Sequence, residues 1–287
     1  MRKCHLIYLL LLAILMFAIP SASNAQGIAV GVSVRIAPPV LPVYTQPICP
    51  GAGYIWTPGY WGYGDDGYFW VPGTWVVAPR VGFLWTPGYW GWGGGAYLWH
   101  VGYWGPHVGF YGGVNYGFGY GGVGFEGGYW NHGVFAYNRS VSNVNVSVIH
   151  NTYSKTVVTN TTVNRTSFNG GTGGVAAQPT AEERNAEHEE HVQATSEQTQ
   201  HEHAAGGDRN QLASVNHGNP AVAATPKAGQ MKGEGVVAAN HSEARTENTE
   251  KASAANKSES NKNAENKNGA KHSGKNKNNE KKEHSGR

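Results

Sequence analysis

From Tyr54 to Trp104 the apolar positions recur as four aromatic octets: YIWTPGYW (Tyr54 to Trp61), YFWVPGTW (Tyr68 to Trp75), FLWTPGYW (Phe83 to Trp90) and YLWHVGYW (Tyr97 to Trp104). Their first tryptophans, Trp56, Trp70, Trp85 and Trp99, lie 14, 15 and 14 residues apart, and Trp61, Trp75, Trp90 and Trp104 repeat those intervals. Aromatic and β-branched residues at this period, separated by the turn-rich linkers GYGDDG, VVAPRVG and GWGGGA, predict one strand per octet joined by hairpin turns. The product is an all-β fold, a small antiparallel meander with turns near 62–67, 76–82 and 91–96. In a regular strand the two tryptophans of an octet, five apart, point to opposite faces. A bulge at Gly59, Gly73, Gly88 and Gly102 would slip the register by one residue and bring both to one face. The competing geometry is a type II turn over Thr57 to Tyr60, which matches hairpin twist poorly.

Other patterns flank the octets. Residues 37–51, APPVLPVYTQPICPG, hold five prolines and predict an extended, polyproline-like lead-in spanning 26–53. The glycine-dense stretch to Trp130 reads as a degenerate fifth repeat, so the aromatic and glycine repeat region runs over 54–130. Within 131–178, Val144, Val146 and Val148 alternate with Asn145 and Ser147, which predicts half-buried or edge strands. Thr180 and Glu183 form a capping box that opens a short helix within 179–203. Residues 204–287 read as a disordered low-complexity tail.

Composition sharpens this division. Residues 51–130 hold 26 of the 33 aromatic side chains and 25 of the 41 glycines, whereas no Trp, Tyr or Phe occurs from Ala181 to Arg287. A segment without aromatics buries too little apolar surface to offset its ordering entropy, so one small folded region is expected. The chain carries a formal charge of +3, but within residues 51–130 the only charges are Arg80, Asp65, Asp66 and Glu126. No basic face exists there to neutralise phosphates, which argues against nucleic acid as a partner of the folded region. The acidic block before Pro226 and the basic block after it favour weak contact with charged polymers or with each other.

Arg2 and Lys3 precede an apolar run from Leu6 to Ile19, followed by Pro20 and small residues through Ala25. This is the pattern of a secretory signal peptide over 1–25, too short to span a bilayer, with Ser23 and Ala25 framing the cleavage site and Gln26 opening the mature chain. After cleavage no transmembrane segment remains, and the chain is expected to be exported. Cys4 leaves with the signal. Cys49 is then alone and forms no internal disulfide.

The octets resemble the WXXGXW repeat family, also called YXWGXW repeat-containing proteins. All four match aromatic-x-W-x-x-G-x-W, and only the fourth departs, with Val101 in place of proline. The resemblance extends through Phe110 to Val141 and Ser167 to Glu183. It implies an exported protein of the bacterial envelope and implies no reaction. Partners consistent with it are envelope polymers or other envelope proteins, and no cofactor is expected.

The folded region is poor in catalytic groups: Asp65 and Asp66 sit in a DDG turn, and Glu126 lies among glycines. No enzyme and no catalytic residue is expected. His188, His191, His201 and His203 form the chain's histidine cluster, and His188 with His191 would share a helix face as metal ligands. Nothing fixes the remaining ligands, so the composition favours a charged tail. Two functions remain: an envelope structural or interaction module whose rings pack on one another, or a polysaccharide or peptidoglycan binder whose rings are stacking platforms. Exposure of the repeat tryptophans discriminates them.

Overall fold

The computed structural model describes residues 32–157 and 165–240. The expected signal peptide, Cys4, the Gln26 start and the tail beyond Asn240 lie outside the described residues. Strand β1 (Ser33–Val34) opens the fold. The four octets then form two long hairpins. In the first, β2 (Tyr54–Thr57) pairs with β5 (Gly73–Val77), and β3 (Tyr60–Gly64) pairs with β4 (Gly67–Val71). In the second, β6 (Leu84–Thr86) pairs with β9 (Tyr103–Gly105), and β7 (Tyr89–Gly93) with β8 (Ala96–His100). All four ladders are antiparallel. The second hairpin turns at Gly94 and Gly95, whose φ of 62° and 84° are what a two-residue hairpin turn requires.

Three smaller ladders follow. β10 (Asn115–Gly117) pairs with β11 (Tyr120–Gly121), and β12 (Gly128–Asn131) pairs with β13 (Val134–Asn138), along which β14 (Thr152–Tyr153) runs parallel. β15 (Phe168–Asn169) lies parallel to β7, and β16 (Ala224–Thr225) lies parallel to β5.

The architecture is all-β, as expected, but it is not a single meander. No ladder joins the two hairpins among the described residues. The edges needed for one are filled: β16 takes the open side of β5, while β1 and β15 take those of β8 and β7. The linker after Val77 also contains Pro79, which cannot donate to a ladder.

The expected bulges are absent as well. Thr57 faces Thr74 and Tyr60 faces Val71, so one register runs unbroken past Pro58 and Gly59. The second hairpin keeps its register from Trp85↔Trp104 to Tyr89↔His100 in the same way. Instead of one strand bulging, both strands break at the same level and each hairpin becomes two short ladders. No slip is needed because both faces are covered: the neighbours Ile55 and Trp56, on opposite faces of β2, are both fully buried.

Downstream, Val144 to Val148 form no strand. Asn145 accepts from the Ser147 N–H through its side chain and from the Val148 and Ile149 N–H groups through its carbonyl, closing a turn instead. The predicted capping box is present at Thr180 and Glu183, but its helix spans only Ala181–Ala186. Val192 then exchanges two backbone hydrogen bonds with Trp104 (2.8 and 2.9 Å), which holds the chain out of a continuous helix. A second helix, Ser196–Gly206, starts from another capping box at Thr195 and Gln198.

The segment after residue 203 is a further correction. Up to Asn240 it is built into the fold, through a 3-10 turn (Arg209–Gln211), a short helix (Ala213–Asn216) and β16. Leu212, Ala223 and Ala224 are buried there. These side chains form no core of their own; they cover the aromatic core of the first hairpin.

Candidate functional site

Within each hairpin the two octets pair through their tryptophans. Trp56 faces Trp75, Trp61 faces Trp70, Trp85 faces Trp104 and Trp90 faces Trp99, with ring centroids 5.3, 5.2, 5.3 and 5.3 Å apart. Tilted or edge-to-face pairs of this kind contribute about 0.5–1.5 kcal/mol each beyond area burial. The first tryptophan of each octet also covers the glycine of its partner octet. A Cβ on Gly59 would lie 2.3 Å from Trp70 Cζ2, one on Gly73 2.5 Å from Trp56, one on Gly88 2.5 Å from Trp99, and one on Gly102 2.6 Å from Trp85. Glycine is therefore required by close approach of an indole. The positive φ expected of a bulge is absent at all four positions.

The indole N–H groups hold other segments onto the hairpins. Trp61 Nε1 donates to the Val40 carbonyl (3.1 Å), Trp75 to that of Pro47 (2.9 Å) and Trp70 to that of Ala223 (3.0 Å). Trp90 donates to the Trp61 carbonyl (2.8 Å), linking the hairpins, and Trp104 to Gln198 Oε1 (2.8 Å), fixing the Ser196–Gly206 helix. The extended lead-in supplies acceptors because its backbone carbonyls belong to no ladder. Cys49 sits in that strap, buried, donating to the Gly51 carbonyl, with its thiol pushed up to about 11 by burial. Such a thiol is inert.

Where the hairpins break, Pro58, Pro72, Pro87 and Val101 converge on a small, partly open cavity of about 70 Å³, also lined by Gln198, His201 and Glu202 of the Ser196–Gly206 helix. Burial raises the Glu202 carboxyl, opposed by its hydrogen bond to Tyr60, and burial pushes the Tyr60 phenol well up. Typical ligand pockets occupy roughly 300–1,000 Å³. This cavity is an internal joint, too small for a sugar ring.

Beside it, an open groove of about 770 Å³ runs over the second hairpin, sharing Pro87, Trp99 and Val101 with the cavity wall. Tyr89 stacks on His100 (4.4 Å, 3°), Tyr103 on His191 (3.8 Å, 24°), and Trp99 on Tyr60 (5.0 Å, 20°). Burial lowers the His100 pKa, which the nearby Glu187 carboxylate opposes.

Compared with known sequences, the chain matches the WXXGXW repeat in two copies, at residues 51–76 and 80–104. Two WXXGXW repeats are thus present. No curated protein and no solved structure matches it. Each WXXGXW copy contains two octets and ends within one residue of its hairpin, so the repeating unit is the two-octet hairpin and not the single strand.

Of the eight octet tryptophans, Trp56, Trp61, Trp70, Trp75, Trp85, Trp90 and Trp104 are buried and only Trp99 is half-buried. They form no solvent-facing row. The four histidines are not assembled. His188 and His191 lie beyond the end of the Ala181–Ala186 helix, so the shared helix face is lost. His191 bonds to the Ala186 carbonyl, and His203 is exposed on another helix. His201 is buried, with Nε2 on the Pro72 carbonyl (2.9 Å) and Nδ1 accepting from the Gly229 N–H (2.9 Å). No group of three metal-ligating side chains occurs among the described residues. Sequence reading missed Glu202, Gln198 and the groove; the one signal available was the exchange of threonine-proline for His100 and Val101 in the fourth WXXGXW octet.

Proposed function

We propose that this chain is a non-enzymatic, exported cell-envelope protein in which the WXXGXW hairpins form a rigid structural and interaction scaffold. The observation that carries this reading is burial: seven of the eight octet tryptophans lie in the core. Their rings contact one another, and four of their N–H groups bind flanking segments. Aromatic repeats thus serve folding in a protein that has few long aliphatic side chains. Export rests on the basic start, the apolar run Leu6 to Ile19 and the small-residue cleavage site. Fractionation of producing cells with N-terminal sequencing tests it. The expected result is a chain beginning at Gln26 outside the inner membrane; intact chain starting at Met1 in the cytoplasm overturns it.

A further inference from the structure

We infer that the groove on the second hairpin binds a neutral saccharide, one or two sugar units of a glycan. Its volume, about 770 Å³, suits such a ligand, while the adjoining cavity of about 70 Å³ does not. Tyr89, Trp99, Tyr103 and Phe110 line it and all four are half-buried. Three of these rings are held in stacks: Tyr89 on His100 and Tyr103 on His191, both of which also line the groove, and Trp99 on Tyr60. Rings held in stacks cannot collapse into the groove, so little ordering entropy opposes a ligand there.

A pyranose has an apolar C–H face and a rim of hydroxyls. The rings meet the first, while the exposed Glu187 carboxylate, which also lines the groove, accepts from the second. Charge excludes the alternatives nearest in chemistry. No Lys or Arg lines the groove, and Glu187 repels an anion, so a phosphate or an acidic polymer is disfavoured. The position in the repeat points the same way. Trp99 is the only octet indole that surfaces, and it does so in the only octet that departs from the pattern, where His100 and Val101 line the groove. This inference is independent of the scaffold reading, whose test reads location and not binding.

The test titrates the full mature chain with cellotetraose, chitotetraose and maltotetraose, followed by tryptophan fluorescence and calorimetry. At least one is expected to bind with a Kd near 1 mM or below, and Glu187→Gln is expected to weaken it about tenfold by removing a charged acceptor. Phe110→Ala weakens it less, and Asp66→Asn, in the turn of the first hairpin, leaves it unchanged. Thermal melts of each variant separate lost affinity from lost fold. The inference is overturned if no tetrasaccharide binds at about 10 mM, where a millimolar site is nearly saturated. It is equally overturned if binding survives both groove variants undiminished, or if oligogalacturonate, an anionic sugar, binds in preference.

Discussion

The two WXXGXW hairpins share one plan and differ in how they are covered. The first is enclosed on both sides: the proline-rich strap accepts from Trp61 and Trp75, while the C-terminal segment accepts from Trp70 and adds β16. The second has strand partners at its edges but is left open over its fourth octet. There Leu98 and Val101 are 39% and 43% exposed and Trp99 surfaces. The same repeat therefore makes core where other segments reach it and makes a groove where they do not.

The largest expected effect is a difference between tryptophans of the two hairpins. Trp75→Ala removes a fully buried ring together with its bond to Pro47 and is expected to cost about 3–5 kcal/mol. Trp99→Ala, at a half-buried site, is expected to cost roughly half as much. Denaturant melts measure both, and equal losses would break the comparison.

Next are the facing glycines. In both hairpins an added methyl meets an indole and backbone together: at Gly73, Trp56 Cζ2 at 2.5 Å and Gly59 N at 3.0 Å, and at Gly102, Trp85 Cζ2 at 2.6 Å and Gly88 N at 2.7 Å. Backbone cannot move aside cheaply. Gly73→Ala and Gly102→Ala are each expected to lose about 1–3 kcal/mol by overpacking. Here the hairpins should behave alike, since this contact lies inside the repeat. If Gly102→Ala were tolerated, the second hairpin would differ in its joint as well as in its cover.

Much of this plan was legible in the chain. Octet spacing located the strands, and Thr180 with Glu183 marked a helix start. The strand partners were not legible, because hairpin turns at Asp65–Asp66 and Gly94–Gly95 fit a meander and a pair of bent hairpins equally. Nor was the reason for the glycines, since a close approach to an indole leaves the same letter in the sequence as a positive φ. Residues 204–240 were misjudged for a different physical cause. Lack of aromatics shows that a segment cannot build a core alone, but Leu212, Ala223 and Ala224 need only cover one that already exists. Thr195 and Gln198 carried the same capping signal as Thr180 and Glu183, within a stretch read as one helix.

The cover of the first hairpin also carries a pH dependence. His201, 2% exposed between the Pro72 carbonyl and the Gly229 N–H, has its pKa lowered by burial. The unfolded chain then takes up a proton first, so stability is full above the ordinary value of 6.5 and declines as pH falls through it toward the depressed folded value. Glu202, raised by burial, acts in the opposite sense: its contribution is full below the ordinary 4.5 and is lost as pH rises from there through the folded value. Melts across pH 4.5 to 7 should show His201→Gln losing the acid-side decline. Glu202→Gln should be more stable than the parent at neutral pH. A His201→Gln profile parallel to the parent's would remove the imidazole from the account.

The smallest expected effect separates ring packing from the clip it carries. Trp56 and Trp75 face each other and both are buried, yet only Trp75 donates its N–H, to Pro47, whereas Trp56 Nε1 has no hydrogen-bond partner. Replacing either by phenylalanine removes similar ring area. The additional loss at Trp75 is the bond and a buried carbonyl left unpaired, about 1 kcal/mol net. At Trp56 no bond is lost, and a desolvated donor that costs stability is removed. Trp75→Phe should therefore be less stable than Trp56→Phe by about 1–2 kcal/mol, and it alone should loosen the strap. Amide exchange near Pro47 reads that loosening. Equal exchange and equal stability in the two variants would mean that the strap is held by its apolar contacts and that the first hairpin is covered without need of its indole donors.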